Sequence, residues 1–414
     1  MKIRTGIIWL GILFGLLSCD NKSTIPDLRE KSFIKIYGGE TKNEAVDLVY
    51  NEPDNELIIL AKAYEIGGEG SRDIMIIKMD LNGNNSSYFF TYTTGRDEDP
   101  VQMVRDGTEL YIAGTLTDNG EKDMMLARFS LNTNTFLWVK GFGEPNKVEE
   151  AMSVEVQANE IILAGNAQDS IDIDDDQNVD VFGIVKNVRI IDIDGNQIIE
   201  SPRKNPGTIK DILRFNANVY HSLSQEIDPV TGDINVQIDV GLFDGNFGTG
   251  FSPQIEGNDF PVDLMRLNTK VLALGFIGDQ PQDPSLSLGV FLLESSYDQN
   301  NGNLINNTSK VIYEPFNSLD IIPSKILQVG SNQFLILGTG NNHTVRLIKF
   351  EEAADGNYNL LWDYPYGTNR PEDKAAAVLS DEGNDIYFNA TIYFQGTLTK
   401  VALFKTDQNG RLDF

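Results

Sequence analysis

The chain has 414 residues, 61 of them Asp or Glu against 33 Lys or Arg, for a formal net charge of −28. That balance argues against nucleic acid or an anionic membrane face as a partner, because both require basic patches. It permits cation binding and favours solubility through self-repulsion, and the length allows two or three domains or one large all-β unit.

In chain order, residues 1–18 carry the first readable signal. Lys2 and Arg4 precede an apolar run from Gly6 to Leu17, and Leu16-Leu17-Ser18-Cys19 closes it. A basic start, an apolar run of about 12 residues and a small residue at the cut describe a secretory signal, too short for a comfortable membrane span. The Leu-Leu-Ser-Cys ending resembles a bacterial lipobox, which implies that Cys19 becomes the lipidated first residue of an exported chain. Cys19 is the only cysteine, so the exported fold must stand on packing without disulfides. Residues 19–31 lack apolar periodicity and read as a flexible tether, followed by a folded domain over 32–414.

Within that domain one apolar strand recurs seven times, about every 55 residues: LIILAKA from Leu57, LYIAGTL from Leu110, IILAGNA from Ile161, VYHSLS from Val219, VLALGF from Val271, FLILGTG from Phe334 and IYFNATI from Ile386. A second alternating strand follows each copy and most end in Asn-Gly or Gly-Asn, the positive-φ pair that a tight hairpin turn requires. Outer strands ending in Gly95, Gly143 and Gly367 follow several of these. A short strand precedes each apolar copy, as at Ala45, Pro100, Ala151 and Ala375. No segment of useful length has a helical apolar period.

Four antiparallel strands repeated seven times predict an all-β fold, a seven-bladed β-propeller. Phe33–Tyr37 fits the outer-strand slot but precedes the first blade, so it is expected to complete the last blade and remove its open edge. Residues 205–310 are the most degenerate, which leaves a six-blade count or an open array as alternatives.

The best copy of the repeat is Trp138-Val139-Lys140-Gly141-Phe142-Gly143-Glu144, then Glu150-Ala151, then Ile162-Leu163-Ala164-Gly165. This unit resembles the repeat of bacterial secreted β-propeller lipoproteins, over most of residues 32–414 and least across 205–330. The resemblance implies fold and export, and no particular activity.

Two constellations could carry chemistry. Asp172, Asp174, Asp176, Asn178 and Asp180 fall at every second place of an acidic stretch, so a coiling loop could aim several oxygens at a structural calcium ion. Gln177 and Gly183, however, replace the turn glycine and closing glutamate of the EF-type loop. The second is a set of acids beside the innermost strands, Glu44, Asp99, Glu150 and Asp373, expected at the mouth of the central channel as a negative funnel or as turn chemistry. Only His221 and His343 are histidines, and no catalytic nucleophile is evident. His221 reads as a hydrogen-bonded core residue, and Trp138 and Trp362 read as inter-blade packing.

The expected function is a lipid-anchored monomeric scaffold of the bacterial envelope, at the outer membrane, binding an envelope protein or a polysaccharide. It touches the membrane through its anchor alone and takes no cofactor beyond the candidate calcium. The rival is a carbohydrate-active or other hydrolytic enzyme using carboxylates at the channel mouth, and a third reading is a structural spacer.

Overall fold

The recurring apolar runs are strands buried on both faces, which is why they read as continuous rather than alternating. A computed structural model describes residues 32–412 except 65–70, 91–94, 158, 172–180, 201–205, 217, 228–233, 243–250, 252–257, 279–286, 312–320, 382 and 397. The described residues form seven antiparallel sheets, with one turn of 3-10 helix at Glu52–Asp54. Six sheets have four strands; the fourth blade has three, and its third strand meets Phe251 through a single bridge at Ile238. The fold is therefore a seven-bladed β-propeller, including the region whose sequence is least regular.

The innermost strands are Asn43–Asn51, Asp97–Asp106, Glu149–Gln157, Thr208–Arg214, Asn258–Arg266, Ile321–Gln328 and Lys374–Ser380. Each packs against the next around the axis, and Lys374–Ser380 returns to Asn43–Asn51. Phe33–Tyr37 pairs antiparallel with Leu398–Thr406, from Phe33 opposite Lys405 to Tyr37 opposite Val401. The first strand thus completes the last blade, as expected. The Tyr37 hydroxyl then donates to the Gly83 carbonyl of blade 1 at 2.5 Å, fastening the closing strand to the next blade.

There is no single core. Leu57, Ile59 and Ala61 pack toward blade 7, whereas Ile58 and Leu60 of the same strand pack toward blade 2. Equivalent apolar clusters fill the remaining seams. Trp138 and Trp362 join the clusters between blades 2 and 3 and between blades 6 and 7, in the inter-blade role expected of them.

Every innermost strand carries a β-bulge at the same place, with the extra residue after Ala45, Pro100, Ala151, Ile209, Pro261, Pro323 or Ala375. The bulge presses the backbone against the neighbouring strand, and this explains the repeated glycine of the Ala-Gly and Leu-Gly pairs. A Cβ on Gly165 would lie 2.0 Å from the Glu150 carbonyl oxygen, and one on Gly114 would lie 2.4 Å from that of Asp99.

The residue before the bulge turns its N–H out of its own ladder and into the seam. The Ala45, Ile209 and Ala375 amides donate to Thr391 Oγ1, Asn166 Oδ1 and Thr339 Oγ1 of the preceding blade at 2.9, 2.8 and 2.9 Å. Pro100, Pro261 and Pro323 occupy that position in blades 2, 5 and 6 and have no N–H to satisfy, while blade 3 has Ala151 there. By register, the preceding blade faces Pro100 with Lys62 and Pro323 with Phe276, neither of which offers an acceptor oxygen. In these two blades proline stands where the preceding blade has no acceptor, whereas Pro261 faces Gln225, which has one.

Thr391→Val should strand the Ala45 amide and cost about 1–3 kcal/mol in denaturant unfolding. Adding Ala45→Pro should recover most of that loss, because three sister blades already hold proline there. Additive losses in the double variant would contradict this.

Candidate functional site

The residue following each bulge points at the propeller axis. Asp47, Gln102, Ser153, Asp211, Asp263 and Lys325 occupy this place in blades 1–6, with Ala377 in blade 7. Except for Ser153, they line an axial cavity of about 170 Å3 to which all seven innermost strands contribute. Sequence reasoning missed this group because no residue type repeats there; what repeats is a hydrogen-bonding geometry.

Side chains here accept the backbone N–H one residue further on in the next blade. Asp47 takes Met103 at 2.8 Å, Gln102 takes Val154 at 2.6 Å and Ser153 takes Ile212 at 3.2 Å. Asp211 takes Leu264 and Asp263 takes Ile326, both at 2.9 Å. Ala377 has no acceptor, and Asn389 substitutes: it accepts the Ala377 amide at 2.9 Å and donates to the Asp47 carbonyl of blade 1 at 3.0 Å. These bonds satisfy amides that the bulges withdraw from the sheet.

The belt is charged. Lys325 donates to Asp263 at 2.8 Å. Burial works against its ammonium, but Asp263, Asp211 and Asp47 outweigh that and raise its pKa. Burial raises Asp47, and burial followed by the Asp263 charge raises Asp211. Glu155, two residues beyond Ser153, is pushed up to about 7 by burial and by Asp211, against the pull of Arg266, Lys325 and Arg214. Asp47, Asp211 and Asp263 each hold at least two protein donors. The axis is occupied by structural bonds.

Glu44, Asp99 and Glu150 lie within the first three residues of their innermost strands, and Asp373 immediately precedes its strand. They face the blade seams rather than joining in one cluster. Asp99 pairs with Lys62 and Arg72 of blade 1, and Glu150 pairs with Lys122 of blade 2 at 2.7 Å. Glu44 meets Lys42 at 2.6 Å; burial alone would raise its pKa, yet Lys42 and Lys62 bring it below the ordinary value. Asp373 is buried and accepts the Tyr393 amide at 2.8 Å and the Thr368 hydroxyl at 2.9 Å. One place before the paired acids stand Glu98 and Glu149, nearly or fully buried, with Glu149 held by Arg189 at 2.9 Å. Strand alternation separates the two rows, and consecutive acids in the sequence conceal that difference.

Cys19 and the calcium candidates Asp172, Asp174, Asp176, Asn178 and Asp180 lie outside the described residues. Among the described residues no group of three or more His, Cys, Asp or Glu side chains could hold a metal ion. His221 is buried, with Nε2 2.7 Å from the Gly302 carbonyl and its ring against Phe215 and Tyr297, the core role expected of it.

Between its ordinary 4.5 and about 7, folded Glu155 keeps a proton that the unfolded chain has released. Stability contributed by this group therefore falls as pH rises through that window. Urea unfolding of Glu155→Gln should decline less between pH 5 and pH 8 and exceed the parent chain at pH 8. Parallel pH profiles would refute this.

No family model matches the sequence, and no curated protein matches it. Among solved structures, the chain is similar to extracellular domains 1–2 of Drosophila Semaphorin 1a, at TM-score 0.50 and 7% identity, covering 91% of this chain and 88% of that one. It is similar to YCF48 from Cyanidioschyzon merolae, at TM-score 0.50 and 7% identity, covering 90% and 98%. The β-propeller domain of the Trilobed protease from Pyrococcus furiosus aligns at TM-score 0.47 and 8% identity, covering 89% and 95%. At these identities the likeness is one of fold.

Proposed function

We propose that the protein is exported, anchored through a lipid on Cys19, and acts as a binding scaffold for an envelope polysaccharide or protein. The observation that carries this reading is an asymmetry between the two faces of a sealed ring. Antiparallel order places the starts of the innermost strands and the second-to-third-strand connections on one face. The strand ends at Ile171 and Val181, Gly278 and Ser287, and Val311 and Ile321 all lie on it. The opposite face carries repeated Asx turns, as at Asp80, where one carboxylate oxygen accepts the Asn82 and Asn84 amides at 2.9 and 2.8 Å. Variable connections on a rigid ring suit recognition.

The hydrolytic alternative is weakened by the pairing of Glu44, Asp99 and Glu150. A carboxylate engaged by a lysine or arginine in a seam is not free to approach a substrate as a general acid or base. A structural calcium ion on Asp172–Asp180 fits the same scaffold, since a cation would stiffen a connection on the binding face.

When the full chain is expressed in a bacterium, Cys19→Ala should move it from the membrane to the soluble fraction while retaining binding to purified envelope polysaccharide or protein. Membrane association unchanged by the substitution would contradict the anchor, and polysaccharide turnover lost in Asp99→Asn with Glu150→Gln would favour the enzyme. Calcium should raise the melting temperature and chelator should lower it; identical melting in both would dismiss the calcium site.

A further inference from the structure

A cleft of about 350 Å3 opens between blades 6 and 7, lined by residues including Pro323, Thr339, Asn341, His343, Pro371 and Lys374. It lies on the face where innermost strands begin, and its size suits a single small ligand group. The Lys374 ammonium here differs from five other cations of that face. Lys42, Lys62, Arg72, Lys122 and Lys147 each pair with a carboxylate. His343 and Lys374 are exposed and make no ion pair or side-chain hydrogen bond among the described residues. The cleft also holds Asp373, and Lys374 is its one ammonium, left without a carboxylate partner among the described residues in a chain of net charge −28.

Both are held in place by their surroundings. His343 sits at φ +62° in a turn closed by its own N–H to the Gly340 carbonyl at 2.8 Å. Asn341 ties that turn to blade 5, accepting the Ser287 amide and donating to the Ser287 carbonyl, both at 3.0 Å. Lys374 follows Asp373, whose oxygens are taken by Thr368 and Tyr393. Lys374 also pairs in register with Thr391, which leads into Tyr393 and Phe394. Tyr393 lies under the Arg370 guanidinium at 5.3 Å, and Phe394 is 53% exposed. The cleft therefore presents the Lys374 ammonium and the His343 imidazole from fixed positions on its two walls.

We infer that this cleft binds a carboxylate-bearing sugar residue of an acidic polysaccharide. His343 and Lys374 would receive the carboxylate. Thr339 and nearby backbone groups would meet sugar hydroxyls, and Pro323 and Pro371 would meet an apolar sugar face. The inference rests on the scaffold reading and names its ligand class. Overall negative charge opposes a long polyanion at a distance, so a short oligosaccharide is the appropriate probe.

The test is calorimetric titration of the full chain with a galacturonic acid trisaccharide and with its methyl ester, which keeps the shape and loses the charge. The acid should bind, and the ester should bind at least about tenfold more weakly. Lys374→Gln and His343→Asn should each lower affinity for the acid by about tenfold; asparagine tolerates the positive φ, so the turn is preserved. Lys349→Gln, the same charge change away from the cleft, should leave binding unchanged.

Equal affinity for acid and ester, or full binding by both cleft variants, would overturn the inference. So would an oligoglutamate peptide binding at the cleft while the sugar does not. If a Lys374→Gln, His343→Asn double variant still binds whole envelope polysaccharide, the cleft assignment fails and the scaffold reading survives. If the parent chain binds no envelope polysaccharide or protein at all, both fail.

Discussion

A bulge in each innermost strand sets the constraint that the rest of the propeller obeys. One extra residue withdraws backbone N–H groups from the sheet and leaves them in the seam. Buried and unpartnered, each would cost about 1–3 kcal/mol, so the adjoining blade must supply an oxygen or the amide must be removed. Both solutions occur: Thr339, Asn166 and Thr391 supply oxygens, whereas proline removes the donor in blades 2, 5 and 6. The axial side chains from Asp47 to Asp263 satisfy the second set of amides. Inter-blade bonding is thus directional near the axis and apolar farther out.

On the reading proposed above, binding takes place away from the axis. Carboxylates that close seams, and an ammonium that neutralises them, cannot move without exposing several amides at once. Removing one partner of such a buried pair generally costs more than the pair contributes. The face bearing longer connections is free of that duty. The cleft beside His343 and Lys374 belongs to that free surface, and its walls come from two blades whose seam is closed by Thr339 and Ala375.

Much of the fold was legible because a strand buried on both faces leaves a continuous apolar signature, as in Leu57–Ala61 and Ile161–Ala164. Ring closure was legible because Phe33–Tyr37 fits an outer strand with no blade before it. The axial belt was not legible. Asp, Gln, Ser, Asp, Asp and Lys share no composition, and only the register shows that Asp47, Gln102 and Ser153 are equivalent. The acids of the channel mouth were read one place off their buried neighbours. Glu98-Asp99 and Glu149-Glu150 are consecutive carboxylates, and alternation alone decides which points inward. Blade 4, whose sequence lacks the Trp-x4-Gly ending, has three strands among the described residues. Lys374 was not legible because a lone lysine after an aspartate resembles any solvated pair.

Amide hydrogen exchange of the native chain, resolved to single residues, tests the seam account most directly. Met103, Val154, Ile212, Leu264 and Ile326 should exchange only through global unfolding, at the same rate as the apolar strand amides of Leu57–Ala61. Exchange of those five amides as fast as the amides of exposed turns would show that the blades are not held together by the belt, and would contradict the account.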